Sequence, residues 1–264
     1  MLIDSHCHLD RFQKKGDLDA VLSRATASGV HRIITIGTSA EDWEGYSQMA
    51  RAHPGQVYWT AGLHPCDVAE DFEDHLIQLP TFFGCEPTPV ALGEIGLDNF
   101  HLPKDPEEIA EVQRRQRKAF KFQLDLALQL QCPVVIHSRH AFAECVAMID
   151  ASGVDWRKVV FHCFSEGPDE IRILNSRGGR GSFTGILTYK SAEPIRQAAL
   201  AQGLDTLMLE TDAPFLTPEP HRGKPNEPAF TRHTAERAAL LFGLSLEALA
   251  ARATANTVAF FGLE

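Results

Sequence analysis

The stretch Leu2-Ile3-Asp4-Ser5-His6-Cys7-His8-Leu9-Asp10 runs an apolar pair into two histidines separated by a single residue. Side chains repeat with period two along a strand, so His6 and His8 face one side with their Cα atoms about 6.5 Å apart. Two imidazoles so placed can close on one cation at metal–nitrogen distances of about 2.0–2.1 Å. An isolated His-x-His is equally a strand with two incidental histidines, and the rest of the chain decides between the readings. Further ligand-type residues follow apolar, β-branched runs: Glu94, His137, His162 and Asp212. Each alone has a plain alternative, as a hydrogen-bonded core histidine or a helix-capping carboxylate. Taken together, four imidazoles and two carboxylates exceed the needs of one tetrahedral ion and indicate two ions bridged by a carboxylate. Glu94, from the middle of the strand order, is the natural bridge. Nitrogen-rich ligation suits Zn²⁺, while carboxylates with retained waters also admit Mn²⁺ or Mg²⁺.

The elements that must position these residues alternate along the chain. Leu18, Val21, Leu22 and Ala25 recur at helical spacing and Gly29 follows as a stop. Val30 to Thr38 reads as a strand, 40–52 as a helix, Gln56 to Gly62 as a strand, and roughly 70–81 as a weaker helix. The fourth strand, Pro89 to Leu92, opens into Gly93-Glu94-Ile95-Gly96-Leu97-Asp98, whose glycines permit a close backbone approach. Asp105-Pro106 starts a long helix reaching about Leu130, with Asp105 as cap, Pro106 in the first turn and Glu108 at the capping-box position. Its Arg114, Arg115, Arg117, Lys118 and Lys121 read by default as a solvated face. Strands at Pro133–Ile136, Lys158–Phe161, within Gly181–Tyr189 and at Thr206–Leu209 complete the series. A Pro- and Gly-rich loop over 213–229 precedes two closing helices, the second beginning near Ser245. Eight strand signals alternating with helices predict an α/β fold, a (β/α)8 TIM barrel, regular or distorted, with extra C-terminal helices. In that fold the loops after the strands carry function, which is where the ligand-type residues stand.

Composition bounds the rest. The 264 residues suit one domain over 1–264. No run of about 18 apolar residues is present, and the start lacks a signal-peptide layout. The six cysteines include no Cys-x-x-Cys pair, so they read as reduced packing residues of a cytoplasmic protein. A net charge of −10 argues against a broad basic surface on duplex DNA, so a polyanionic substrate needs locally positive ground.

Seven motifs together resemble the TatD-like metal-dependent hydrolases and deoxyribonucleases of the amidohydrolase superfamily, from end to end of the chain. They are Asp4-Ser5-His6-Cys7-His8, Gly62-Leu63-His64-Pro65, Gly93 to Asp98, His137-Ser138-Arg139, Phe161-His162-Cys163-Phe164-Ser165, Glu210-Thr211-Asp212-Ala213-Pro214 and Arg222-Gly223-Lys224-Pro225-Asn226-Glu227-Pro228. The resemblance implies two divalent cations, with His6, His8 and Asp212 around one, His137 and His162 around the other, and Glu94 shared. It also implies a deoxyribonuclease acting exonucleolytically, 3′–5′, on single-stranded or frayed DNA ends. The chain departs from many relatives at Cys66, Asn99, Glu166 and Pro225, positions near the expected substrate, so the substrate preference does not transfer directly.

Within this reading, Asp212 orients the attacking water and accepts its proton. His64, at the end of the third strand, is a candidate donor to a phosphate oxygen, or else a capping histidine. Glu210 shares the face of Asp212 and is expected behind a ligand histidine, or as a buried structural carboxylate. Arg139, and Arg222 with Lys224, are expected to contact substrate phosphates, or to serve as surface salt-bridge partners. The alternative chemistry is C–N or ester hydrolysis of a small molecule, for which a carbamylated lysine often bridges the ions where Glu94 stands here. No obligate protein partner and no membrane attachment are expected.

Overall fold

A computed structural model describes residues 1–263. The strands are β1 (Leu2–Cys7), β2 (Val30–Ile36), β3 (Val57–Ala61), β4 (Ala91–Asp98), β5 (Val134–Arg139), β6 (Val159–Phe161), β7 (Arg180–Phe183) and β8 (Met208–Leu209). The helices are α1 (Asp10–Gln13), α2 (Leu18–Ala27), α3 (Ala40–Ala52), α4 (Phe72–Phe82), α5 (Pro106–Leu130), α6 (Phe142–Ser152), α7 (Pro168–Arg177), α8 (Glu193–Gln202), α9 (Thr231–Phe242) and α10 (Leu246–Phe261). The strands are hydrogen-bonded in chain order, β1 to β8, and Cys7 bridges in parallel to Ala213, just beyond β8. This is the expected (β/α)8 TIM barrel. Among the described residues no single helix is long and apolar enough to cross a membrane. The pair Pro228–Phe242 and Leu246–Phe261 has the length and composition only jointly, and is bent by 108°.

The chain divides into two compact units, residues 1–35, 53–58 and 162–264 in one, and 36–52 and 59–161 in the other. In the first, β1 pairs with β2 and β7 with β8, and α9 and α10 pack on β1 and β8. Leu2, Ile33, Phe183, Met208 and Leu249 are buried there. Ser245 caps α10, its Oγ accepting the Ala248 N–H at 3.2 Å. In the second unit β3, β4, β5 and β6 form one parallel ladder, over a core that includes Trp43, Trp59, Ile95 and Phe120. The Asp105 carboxylate accepts the Glu107 and Glu108 N–H groups at 2.9 and 3.1 Å, starting α5 as its sequence predicts.

Two strand ends differ from the sequence expectation by more than two residues. β4 runs through the glycine motif to Asp98 and β5 runs to Arg139, so Glu94 and His137 lie within strands rather than beyond them. The glycines explain why. A Cβ at Gly93 would stand 2.6 Å from the Val135 Cβ, and one at Gly96, whose φ is +143°, would stand 2.0 Å from the His137 carbonyl oxygen. Only glycine lets β4 and β5 approach this closely, and the sequence pattern there resembles a loop.

Candidate metal centre

Two clusters of histidine and carboxylate emerge, one in each unit. In the first unit, His6 and His8 come from β1 and the residue after it, with ring centroids 5.3 Å apart. The Asp212 Oδ1 stands 3.7 Å from His6 Nε2 and 3.4 Å from His8 Nε2. Backbone bonds set this register: Asp212 N–H donates to the His6 carbonyl and His8 N–H to the Ala213 carbonyl, each at 2.9 Å. Asp212 itself adopts φ 56°, a left-handed conformation that aspartate tolerates better than most residues. Its turn is clamped from within, because the buried Asn226 amide donates to the Thr211 and Phe215 carbonyls at 3.0 and 2.6 Å. Burial would raise the Asp212 carboxyl, but the His8 hydrogen bond and the charges of His6 and His162 hold it below its ordinary value.

Behind these ligand-type groups lie two buried carboxylates. Asp4 accepts the Thr211 N–H at 2.9 Å and the Thr211 hydroxyl at 2.5 Å. Burial nevertheless pushes its carboxyl up to about 8. Glu210 accepts the Cys163 N–H at 2.6 Å and the Ser182 hydroxyl, and its Oε1 stands 3.6 Å from His162 Nδ1. That distance is beyond a good hydrogen bond. Glu210 therefore anchors the backbone after His162 and faces the Nδ1 side of the ring, while His162 stacks on His6 with centroids 4.0 Å apart.

In the second unit Glu94 meets two histidines. His137 Nδ1 lies 2.8 Å and His64 Nε2 3.4 Å from Glu94 Oε1. His137 Nε2 faces Asp98 Oδ2 at 3.2 Å, the arrangement in which a carboxylate fixes the tautomer of a ligating histidine. Burial would raise the Asp98 carboxyl, yet hydrogen bonds from His137, His101 and the N–H of Phe100 hold it well below the carboxylate range. His64 has the donor atoms of a ligand, but its Nδ1 accepts the Cys66 N–H at 3.0 Å. Burial lowers its basicity, so the neutral ring carries its proton on Nε2 and presents a donor rather than a lone pair.

The sequence reading gave Asp98 no role and missed the amides that hold this cluster. Gln116 and Gln123, two helical turns apart on α5, are buried. Gln116 accepts the Asp98 N–H at 3.0 Å and donates to its carbonyl at 3.1 Å. Gln123 does the same for Leu63, at 2.7 and 3.1 Å, fixing the chain just before His64. The signal was available as two amides on the apolar stripe of α5, flanked by Ala119, Phe120 and Leu124.

The expected phosphate-contacting cations are at the surface. Arg139 lies over the Phe100 ring at 4.1 Å and Arg222 over Tyr189 at 3.7 Å, with Lys224 exposed. The basic run of α5 is spent on neighbours: Arg114 and Arg115 pair with Glu111, Arg117 with Glu144, Lys118 with Glu73 and Lys121 with Asp125. That is the solvated face the sequence suggests. Of the departures from the motif pattern, Asn99 donates to the His140 carbonyl at 3.1 Å and accepts from Gln113 at 2.9 Å. Cys66 points its thiol at Asp98.

Both clusters suit divalent cations on the chemistry of their donors. His6, His8 and Asp212 offer one ligand atom each within 4.8 Å of one another, and Glu94 and His137 do so in the second cluster, with the His64 ring beside them as a hydrogen-bond donor. The comparisons with known proteins agree with this reading. A family model described as TatD related DNase matches residues 3–262. An uncharacterized metal-dependent hydrolase of Escherichia coli, YcfH, is 35% identical over 269 residues, covering 100% of this chain and 96% of its own. A protein of Erwinia amylovora named as the 3′-5′ ssDNA/RNA exonuclease TatD is 32% identical over 267 residues, covering 99% and 100%. The crystal structure of YJJV, a TatD homologue of Escherichia coli, superposes with a TM-score of 0.90 at 30% identity, covering 100% of this chain and 98% of that one. By the whole-length family match, the shared architecture and the identity to these relatives, the chain belongs to the TatD family of metal-dependent hydrolases.

Proposed function

We propose that this protein is a divalent-metal-dependent phosphodiesterase, a deoxyribonuclease that removes terminal nucleotides 3′–5′ from single-stranded or frayed DNA ends. The observation that carries the reading is the pair of histidine–carboxylate clusters, His6, His8 and Asp212 in one unit and Glu94 with His137 in the other. His6, His8 and Asp212 would hold one ion, His137 and His162 a second, with Glu94 shared. Bound divalent ions supply Lewis-acid activation of water and neutralise charge on the phosphoryl oxygens. Zn²⁺, Mn²⁺ and Mg²⁺ all fit the donor types.

The chain's own groups do the remaining work. Asp212, kept ionised below the ordinary carboxylate range, orients the attacking water and takes its proton. His64 directs its Nε2–H towards the non-bridging oxygen on which charge develops. Glu210 and Asp98 act behind the ligands, through the backbone after His162 and through the His137 ring respectively. Arg139 holds the scissile phosphate and Arg222 with Lys224 hold its neighbours, providing local positive charge on a chain of net charge −10. Few phosphate contacts make the salt dependence shallow. Free cysteines throughout accord with action in a reducing cytoplasm.

The family description as DNase and the exonuclease name of the Erwinia amylovora relative support a nucleic acid substrate. The test compares end-labelled single-stranded oligonucleotide with supercoiled plasmid, p-nitrophenyl phosphodiesters and acylated amides, in the presence of Zn²⁺, Mn²⁺ or Mg²⁺. Stepwise loss of terminal nucleotides with little plasmid nicking is expected. The Arg139→Ala and Arg222/Lys224 double-alanine variants should raise the oligonucleotide KM. Turnover of amides or carboxylic esters alone would instead establish C–N or ester hydrolysis, and efficient plasmid nicking would exclude an exonuclease confined to ends.

A further inference from the structure

The turn after β3 and the loop after β4 bring together three side chains that the hydrolytic reading does not use as ligands. Cys66 Sγ lies 3.6 Å from Asp98 Oδ2 and 3.9 Å from His101 Nδ1, and His101 Nδ1 lies 2.8 Å from the same Asp98 oxygen. In a tetrahedral zinc site with metal–sulfur bonds of about 2.3 Å and metal–nitrogen or –oxygen bonds of about 2.0–2.1 Å, donors stand about 3.3–3.6 Å apart. The three atoms are therefore within roughly half an ångström of the edges of such a tetrahedron.

The oxygen at the centre of the group is held in place. Asp98 is buried, and its Oδ1 accepts the N–H groups of Phe100 and His101 at 2.7 and 2.8 Å. Gln116 clamps its backbone on both sides. Oδ2 thus faces Cys66, His101 and His137 without freedom to swing away. An ordinary ion pair accounts for the contact of Asp98 with His101, but not for a thiol brought to the same oxygen from a separate segment of chain.

We infer that Cys66, Asp98 and His101 form a further cation site, distinct from the two histidine–carboxylate clusters, that takes a thiophilic divalent ion such as Zn²⁺. Mixed sulfur, nitrogen and oxygen donors select zinc or cobalt over magnesium or manganese, which prefer oxygen alone. Binding releases one proton, that of the Cys66 thiol, to solvent. The proton that His101 Nδ1 shares with Asp98 in the metal-free protein passes by way of solvent to Nε2, which frees the Nδ1 lone pair for the ion. Three protein donors leave the fourth tetrahedral position to water. Burial and the neighbouring Asp98 charge push the Cys66 thiol up to about 12, so the group is an inert thiol until a cation displaces its proton. Asp98 Oδ2 has lone pairs for both the ion and His137 Nε2, so occupancy of this site also stiffens the support of His137 and the loop that carries Phe100.

The test uses Co²⁺ as probe on the full chain, because only a thiolate ligand gives an intense sulfur-to-cobalt charge-transfer absorption. The wild type should develop this band on titration, Cys66→Ser should lose it, and His101→Ala should reach it only at higher Co²⁺. Equilibrium dialysis with Zn²⁺ should show one ion fewer per chain in Cys66→Ser. His6→Ala/His8→Ala should keep the band, which separates this site from the hydrolytic centre whether or not that centre binds as proposed. No charge-transfer band in the saturated wild type would overturn the inference. So would a band of undiminished intensity in Cys66→Ser, which would place the thiolate at another cysteine. Circular dichroism of both variants guards against loss of fold, and since Cys66 and His101 lie in different segments, loss of the band in folded Cys66→Ser together with weaker Co²⁺ binding in folded His101→Ala is not an effect of one disturbed loop.

Discussion

The two clusters solve the same placement problem by different means. Around His6, His8 and Asp212 the backbone itself is the jig: Asp212 N–H bonds the His6 carbonyl, and His8 N–H bonds the carbonyl of Ala213, the residue next to Asp212. Around Glu94 and His137 the jig is remote. Glycines at 93 and 96 draw β4 onto β5, and Gln116 and Gln123 reach from α5 to hold Asp98 and Leu63. The first arrangement writes its geometry into adjacent residues. The second distributes it over strands, a helix and a buried carboxylate, so changes far along the chain can disturb it.

The largest difference should come from removing the base. Asp212→Asn keeps an oxygen donor beside His6 and His8 but takes away the proton acceptor. Turnover on single-stranded DNA is expected to fall by about 10²–10⁴-fold with much less change in KM. Single-turnover kinetics with metal content measured in parallel checks this. Near-native turnover with metals bound would reduce Asp212 to a passive ligand and remove the functional asymmetry between the clusters.

Next in size is the glycine approach. Gly96→Ala would force a Cβ to within 2.0 Å of the His137 carbonyl at a φ of +143°. We expect a loss of about 3 kcal/mol in stability, read as a lower urea midpoint, together with weaker metal retention. The same measurement on Gly223→Ala is the control. That glycine also has a positive φ, of +84°, but nothing within 4 Å of its Cβ position, so only the conformational part of the cost should remain.

These two predictions also mark what the chain disclosed in advance. His6 and His8 were legible because period-two spacing is a local property of a strand, and the strand–helix alternation was legible because each element carries its own periodicity. Glu94 and His137 were recognised as ligand types but placed beyond their strands, since Gly93 and Gly96 resemble loop residues until the neighbouring strand is known. Asp98 had no visible role, because its significance lies in what His137, His101 and Cys66 do with it across the fold. Asn226 and Gln116 were opaque for the same reason: an amide on a buried face announces a partner without saying which. The charges on α5 read as a solvated face, but only the pairs of Arg114, Arg115 and Lys121 are local to the helix, while the partners of Arg117 and Lys118, Glu144 and Glu73, come from other elements.

The amide clamps offer a smaller and more balanced comparison. Asn226→Leu frees the Thr211 and Phe215 carbonyls, and Gln116→Leu frees the N–H and C=O of Asp98. Asn226→Leu also frees the Glu227 N–H, so it leaves three backbone groups unsatisfied against two for Gln116→Leu, all at least partly buried, for expected losses of about 2–4 kcal/mol. The stability losses should be similar, while the functional losses differ. Asn226→Leu should lower turnover through the Asp212 turn, and Gln116→Leu should weaken metal binding through Asp98 and His137. Denaturation and metal titration of both variants give the answer, and matching effects on turnover and metal affinity would dissolve the proposed division of labour.

The smallest expected effect concerns His64 in metal-free protein. Burial lowers its basicity, Glu94 and Asp67 oppose that, and His137 adds to it. With a folded pKa below the unfolded value of about 6.5, the unfolded chain takes up the proton more readily as pH falls. The contribution of His64 to stability is therefore in place above about pH 6.5 and is lost as pH drops below it. His64→Gln should remove this share of the acid slope, because the glutamine amide oxygen can still accept the Cys66 N–H but takes up no proton. Urea midpoints from about pH 8 to about pH 5, in chelator, provide the measurement. The wild type should lose more stability than the variant over the lower half of that range. Parallel curves would mean that His64 binds its proton equally well folded and unfolded. In that case the assignment of a neutral ring with an accepting Nδ1 and a donating Nε2 would be weakened, and the ligand role that the distance of His64 to Glu94 also permits would take its place.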